Sequence, residues 1–462
     1  MLKVGDEVEV EVGATDARGY GAAPLDGRTV LVPGLFPGER GRVRVEALAR
    51  HSDQAHAQLR ELLRPSPARR ELPCPRHEHA VLDREAQRAG PRRNPACGGC
   101  PLMALDYGAQ LELERAWLEA AHGLVLSEPI LGVGAQELGY RCSSKRIVTG
   151  RAGQLRLGSR AAGKRRGDYV ADMHGCRVDH AKIRAAFDGL EQVANELGIE
   201  PWREDRRAGD LRYAWAKTNG EQVLLTLITG STGAEASRAP ELGQRLHALG
   251  LADGVAWSVQ SSRGNAIRGH EATHVVGLER LAVEIGGVQI QVGALGFLQT
   301  NLAVAALAYR DLLGLAPGEL GEAPRGRLAF DLYAGAGVTT RQLRARFDEV
   351  LACESHPESA AALGVEPELA DAVCRRWREA GRATPDLVLA NPPRAGLGRA
   401  TCEALVELAA PRIHMMSCSA KTLAEDLRRL EDRYEVLGLR GYDMLPQTPH
   451  VELVAWLRLR AG

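Results

Sequence analysis

Cys418 stands in "MMSCSAKTLAEDL" (residues 415–427), between two serines, after an apolar run and before a helical pattern. A thiol placed where a strand ends and a helix begins can act as a thiolate nucleophile, because the helix N-terminus favours negative charge and lowers the thiol pKa. Glu452 lies in "DMLPQTPHVELVAWLRLR", just inside an apolar strand pattern, where a carboxylate can serve as a general base. A third landmark is "AFDLYAGAGVTTRQL" (329–343). A strand ends at Asp331, a turn carries Gly335 and Gly337, and a helix follows. Such a turn lets the backbone approach a ligand at the carboxyl edge of a parallel sheet. The next strand ends in "LACESH", which sets Glu354 to accept both hydroxyls of a ribose. No G-x-x-x-x-G-K-[ST] occurs, so the site suits a nucleoside cofactor such as S-adenosylmethionine rather than a triphosphate. In "LVLANPPRAGL" (387–397) two prolines stiffen the turn and remove amide donors, leaving the Asn391 side chain to face a ligand.

These groups need a scaffold. The chain has 462 residues, enough for two or three domains, and 45% of them are apolar, enough for real cores. Aromatic residues are only 4%, so those cores should be built from Leu, Val and Ala. Formal net charge is zero, so any nucleic-acid contact must come from local clusters. No apolar run is long enough for a membrane span, and "MLKVGDEVEVEVGATDARGYG" carries no secretory h-region; a cytoplasmic protein that binds no membrane is expected. The odd count of nine cysteines favours metal binding or catalysis over disulfides.

Three zones follow from the patterning. Residues 1–62 alternate apolar and polar residues around Gly and Pro turns, which predicts a small OB-type β-barrel. "RPSPARRELPCP" reads as a linker. Residues 63–290 mix helix, strand and loop, an α+β domain. Residues 291–462 alternate strands with helices, which predicts a doubly wound Rossmann-like sheet. The fold class is therefore α/β, with an OB-type barrel and a central α+β domain ahead of the doubly wound sheet.

In one order and with plausible spacing, "GFLQTN", "DLYAGAG", "NPPRAGL", "SCSAKTLAEDL" and "DMLPQTPHVE" resemble the RNA (uracil-5-)-methyltransferase family. The resemblance implies that Cys418 attacks C6 of a uracil, that C5 then takes a methyl group from S-adenosylmethionine, and that Glu452 removes the C5 proton. It implies cofactor contacts from Gln299, Tyr333, Glu354, Asp371 and Asn391, beside Gly335 and Gly337. Three departures stand out. Asn391 replaces the family's usual Asp, the stretch from Glu354 to Asp371 is short, and Val338 sits where a polar residue often follows the turn. Residues 1–62 are similar to a TRAM domain, an OB-type RNA-binding module. "ACGGCPLMALDYGAQLELERAWLE" (96–119) is similar to the family's iron–sulfur segment. With Cys74 of "LPCPRHEH" and Cys176 of "ADMHGCRVDH", Cys97 and Cys100 would hold one [4Fe–4S] cluster. The 22 residues between Cys74 and Cys97 exceed the usual gap and contain His77 and His79, which keep zinc open as an alternative. Cys142, Cys353, Cys374 and Cys402 read as packing or surface thiols.

Lys and Arg cluster between 141 and 168, in "RCSSKR" and "LRLGSRAAGKRRGDY", where they can meet phosphates of a folded RNA; Tyr140 and Arg141 in "GYRCSSK" resemble a family segment. The partner implied is structured RNA, large-subunit ribosomal RNA above all, modified by a monomer. Three other readings stay open: uridine methylation in transfer RNA, methylation of an exocyclic amino group held by Asn-Pro-Pro, and RNA binding without catalysis.

Overall fold

The computed structural model describes residues 1–77, 97–161 apart from 133 and 135, 170–230, 237–262, 267 and 269–461. His79 and the basic residues Lys164, Arg165 and Arg166 lie outside the described residues.

Six strands open the chain: β1 (Glu7–Glu11), β2 (Ala14–Thr15), β3 (Gly21–Leu25), β4 (Arg28–Val32), β5 (Arg40–Leu48) and β6 (Gln54–Arg64). They form one sheet in the order β1-β5-β6-β4-β3-β2. The alternation read from the sequence is visible here: Val10, Val43, Val45, Ala57 and Leu59 turn inward to a common core. The outward face is charged in both signs. Arg40 and Arg42 pair with Glu9, Arg42 also with Glu61, and Arg64 with Glu11. The segment expected as a linker is tied down. Buried Glu39 accepts from the Phe36 and Ser66 amides and from Arg69.

Helix α1 (Tyr107–His122) starts at Asp106, whose side chain accepts from the Ala109 amide, and stops at Gly123 with φ of 67°. Its buried face holds Gln110, Glu114 and Leu118. A second sheet follows: β7 (Ser143–Thr149), β8 (Arg156–Arg160), β9 (Val170–Asp172), β10 (Leu211–Thr218), β11 (Val223–Thr229), β12 (Gly254–Val259) and β13 (Ala272–Gly277), in the order β13-β12-β11-β10-β7-β8-β9. Helices α2 (Ala181–Glu196) and α3 (Ala239–Ala248) cover one face through Phe187, Leu190 and Leu242.

The third sheet positions the chemistry. After the hairpin β14 (Leu281–Ile285) and β15 (Val288–Val292) come α4 (Leu302–Leu312), β16 (Gly326–Leu332), α5 (Val338–Leu343), β17 (Phe347–Cys353), α6 (Pro357–Leu363), α7 (Ala370–Glu379), β18 (Leu387–Ala390), α8 (Gly398–Leu408), β19 (Arg412–Ser417), α9 (Ala420–Leu430), β20 (Tyr434–Tyr442) and β21 (Glu452–Leu459). The order is β17-β16-β18-β19-β21-β20; the first four strands are parallel, and β21 runs antiparallel to β19 and β20. Successive residues serve opposite faces. Phe330, Val388, Ile413 and Leu453 join the core beneath α7, α8 and α9, whereas Ala329, Leu389, Met416 and Val454 join that beneath α4. Burial on both faces is why these strands read as continuous apolar runs.

Packing crosses the boundary expected at residue 290, which falls inside β15. Leu281, Val283, Ile290 and Val292 share a core with Leu389 and Trp456. Leu118, Leu124, Leu126 and Ile130 likewise join the opposite core of the third sheet. Among the described residues no helix is long and apolar enough to cross a membrane.

Candidate active site

The carboxyl edge of the parallel strands gathers the expected residues. β16 runs into Tyr333 and the Gly-rich turn. β17 runs into Glu354, β18 into Asn391, and β19 into Cys418. The ladder between β19 and β21 ends on the pair Ser417 and Leu453, so the next step of the antiparallel register sets Cys418 across from Glu452.

Cys418 is half-buried and sits in a tight turn. The Ser419 amide donates to Ser417 Oγ at 3.3 Å, and Ser419 then caps α9 by accepting from the Thr422 amide at 3.4 Å. The thiol was expected below its ordinary pKa. It lies above it. Burial is the main cause and the Glu452 carboxylate the second, while Arg394 pulls the other way. The helix-terminus argument fails because burial, and then the facing carboxylate, outweigh it. Glu452 is buried, and loss of hydration pushes it up to about 7, against the attraction of Arg394. Near neutral pH it can therefore exchange a proton. One guanidinium thus addresses both reactive groups. Arg394 is the functional residue that the sequence reading quoted but did not assign; the signal was a cation directly after the stiff Asn-Pro-Pro turn.

Several of the cofactor-binding candidates lie at or beside the Gly-rich turn. Tyr333 adopts φ of 61°, unusual for a residue with a side chain, and its hydroxyl lies 3.3 Å from Thr401 Oγ1. Glu354 accepts from the Gly335 amide at 2.9 Å and the His356 amide at 2.7 Å, which ties the turn to the next strand end. Gly337 takes φ of 79° and opens α5. Asp331, unassigned by sequence, is buried and accepts from the Thr339 and Thr340 hydroxyls; burial lifts it to about 6. Gln299 is buried and donates to the Tyr309 hydroxyl at 3.4 Å. Asp371 begins α7 and pairs with Arg375 at 3.3 Å. Its charge reaches Tyr333. Asn391 is half-buried and its amide donates to the Leu332 carbonyl at 3.3 Å, joining β18's end to β16's.

The other thiols separate into two groups. Cys74, Cys97, Cys100 and Cys176 line one cavity with His77, Met103 and Arg141. Burial raises all four thiols, and each is raised further by a neighbouring acid of this set or by Asp179. The His77 ring meets the Cys100 carbonyl through Nε2 at 2.9 Å. Among the described residues, no three His, Cys, Asp or Glu side chains converge tightly enough for a single metal ion. Cys142, Cys353, Cys374 and Cys402 are buried, as packing thiols are.

The basic stretch is less free than its sequence suggested. Arg146 is buried, ion-paired to Asp179 and stacked on Phe187. Lys145 lies 4.0 Å above the Trp215 ring.

The chain is similar to known RNA methyltransferases. Residues 382–460, which carry Asn391, Arg394, Cys418 and Glu452, match the family model described as tRNA (Uracil-5-)-methyltransferase. The chain is 27% identical over 477 residues to an uncharacterized RNA methyltransferase of Halalkalibacterium halodurans, covering 98% of this chain and 97% of that one. It is 27% identical over 381 residues to the 23S rRNA (uracil(747)-C(5))-methyltransferase of Salmonella enteritidis, covering 78% and 97%. In fold it is similar to the Pyrococcus abyssi tRNA (uracil-54, C5)-methyltransferase solved with S-adenosyl-L-homocysteine, at a TM-score of 0.71 and 23% identity over 97% of this chain and 100% of that one.

Proposed function

We propose, for a chain that belongs to the RNA (uracil-5-)-methyltransferase family, that it methylates C5 of a uridine in structured RNA through a covalent bond from Cys418, and that large-subunit ribosomal RNA is the substrate. The observation that carries this reading is Cys418 set across from Glu452 at the sheet edge, with Arg394 beside both.

The chemistry explains the residue types. C5 of uracil is a poor nucleophile until a thiolate adds at C6. The Cys418 thiol loses its proton to solvent, Arg394 favouring the thiolate, and as the Sγ–C6 bond forms the C5–C6 π electrons move into an enolate on the ring. Electrons pushed into the ring make C5 nucleophilic. S-adenosylmethionine supplies the methyl group that C5 takes. Glu452 then removes the C5 proton, the C5–C6 double bond returns, and the Sγ–C6 electron pair leaves with sulfur. A buried carboxylate near 7 suits that last proton transfer at cellular pH. The target base must leave its stack to reach Cys418.

The residues around the Gly-rich turn fit a nucleoside cofactor. Gly335 and Gly337 permit close approach, and Glu354 keeps acceptor capacity beyond its two amide donors. Gln299, Tyr333, Asp371 and Asn391 complete the proposed contacts. We read the third sheet as Rossmann-like and the first as an OB-type TRAM domain. Four cysteines lining one cavity fit a [4Fe–4S] group, whose ligands are thiolates. Cys74, Cys97, Cys100 and Cys176 would hold it, and it would tie segments distant in sequence into one folded unit.

The test is a trapping experiment. The Glu452→Gln protein should methylate once and then stall as a protein–RNA adduct that survives denaturing electrophoresis. Adding Cys418→Ala should abolish it. Transcripts of 23S rRNA and of tRNA carrying 5-fluorouridine should trap the wild type, and the one trapped identifies the substrate. An adduct that persists in Cys418→Ala refutes the nucleophile assignment. Methylation that survives Cys418→Ala would favour the exocyclic-amino reading instead.

A further inference from the structure

The helix that starts at the nucleophile does more than follow it. Cys418, Thr422 and Asp426 are spaced by four, so the latter two continue along one face of α9 from the thiol. That face meets the loop carrying Arg394. The Thr422 hydroxyl donates to the Arg394 carbonyl at 3.2 Å. Asp426, 1% exposed, accepts from the Leu397 amide at 2.7 Å and the Gly398 amide at 3.2 Å. Those are orphan donors at the start of α8, whose own N-cap residue, Leu397, offers no side-chain acceptor. Arg429 donates to Asp426 at 2.8 Å and balances the buried charge, and the Cys402 thiol approaches it at 3.7 Å.

The loop residue between is a glycine for a stated reason. Gly396 takes φ of 76°, and a Cβ there would come 2.4 Å from Asp426 Oδ2 and 3.0 Å from Thr422 Cβ. Only glycine lets the loop close on α9.

We propose that Asp426 is a positioning residue: it locks the 394–398 loop onto the nucleophile's own helix and so holds the Arg394 guanidinium against Cys418 and Glu452. The proposal rests on the reading of Cys418 as the nucleophile. The thiol, the cation and the base then form one rigid unit, although they come from three strand ends. A buried carboxylate capping a helix from another helix is well placed for this, because every one of its contacts is directional. Asp426 touches no reacting atom and works through Arg394.

The test reads the thiol directly, without RNA. Alkylation of Cys418 by iodoacetamide is followed across pH by peptide mass spectrometry, which separates it from the other cysteines. Asp426→Asn, Gly396→Ala and the milder Thr422→Val should each move the alkylation profile to higher pH, since a displaced Arg394 favours the thiolate less. A displacement of one pH unit means about tenfold slower alkylation at neutral pH. In an Arg394→Ala background the same substitutions should add nothing, because the cation they position is gone. Effects that add in that background, or a wild-type profile in the folded variants, overturn the proposal. Thr422→Val, half-buried and near-isosteric, carries the test where the buried variants fail to fold. The 5-fluorouridine adduct on 23S rRNA transcripts is measured in parallel and should form more slowly in all three variants. Absence of any adduct with the wild type would sink the covalent reading itself, an outcome separate from the alkylation result.

Discussion

Replacing Glu452 by Gln should raise stability relative to the wild type by an amount that grows with pH. The carboxyl is buried at the end of β21, and desolvation lifts it from an ordinary 4.5 to about 7. Below about pH 4.5 it is protonated in both folded and unfolded states and costs nothing. Above 4.5 the unfolded chain ionises first, so stability is lost as pH rises through the folded value near 7. The gap corresponds to roughly 3 kcal/mol at ~1.4 kcal/mol per pH unit. Gln cannot ionise, so it removes that loss. It also leaves a buried amide, whose cost is the same at every pH and cancels when the two proteins are compared across pH. Thermal melts of both at pH 5 and pH 8 should therefore show the difference, variant minus wild type, growing with pH. A domain of ~150–250 residues moves about 2–4 °C per kcal/mol, so the growth should be about 5–10 °C. Other raised carboxyls, Asp443 among them, are present in both proteins and drop out. Activity should move the opposite way. The wild-type rate should rise through about pH 7 as the base ionises, and the variant should lose that limb. A melting difference that is equal at pH 5 and pH 8 refutes the claim that burial has raised Glu452, and with it the explanation of its basicity.

The anaerobically purified protein should be brown, and Cys97→Ser should lose the colour and melt earlier; stoichiometric zinc without iron or sulfide by metal analysis would refute the cluster assignment. Glu114 is buried in α1, both its carboxylate oxygens lack partners among the described residues, and burial and Asp443 raise it well above the carboxylate range. Glu114→Gln should thus raise the urea midpoint at pH 8.5 more than at pH 5; equal midpoint changes would count against it. Asp331→Asn should weaken binding of S-adenosyl-L-homocysteine about tenfold in calorimetry, since one of the acceptors that hold Thr339 and Thr340 beneath the Gly-rich turn becomes a donor, a loss of ~1–3 kcal/mol. RNA affinity should fall steeply between low and physiological salt, and a flat salt response would argue against phosphate contacts.

Tyr333, Glu354, Asn391 and Cys418 stood out in the sequence because each follows the end of a strand. The turn after β16 is rich in Gly and that after β18 carries Pro and Gly, while those after β17 and β19 are only two or three polar residues, and all four interrupt apolar runs that mark the strands themselves. Packing between distant segments left no such trace. The hairpin 281–292 alternates like any half-buried ribbon, and nothing in it states that its apolar side meets Leu389 and Trp456. Helix α1 reads as amphipathic, yet its buried face includes Gln110 and Glu114. Gln110 is explained by Gln447: one side chain donates to the other at 3.0 Å, and the Gln447 amide returns a bond at 3.1 Å. Partners 337 residues apart cannot be paired from one sequence.

The thiol illustrates the same limit in electrostatic terms. A cysteine before a helix predicts a lowered pKa when only its neighbours along the chain are counted. Across the ladder stands Glu452, and from the β18 turn comes Arg394, and these two through-space charges act in opposite directions on a group that burial has already raised. Burial thus keeps the thiol protonated rather than a standing thiolate. Reactivity then depends on how closely Arg394 is held, which is a property of the loop and of α9. On the proposed reading, Gly396 and Asp426, which carry no chemistry of their own, set how the loop that carries Arg394 stands against the helix that follows Cys418.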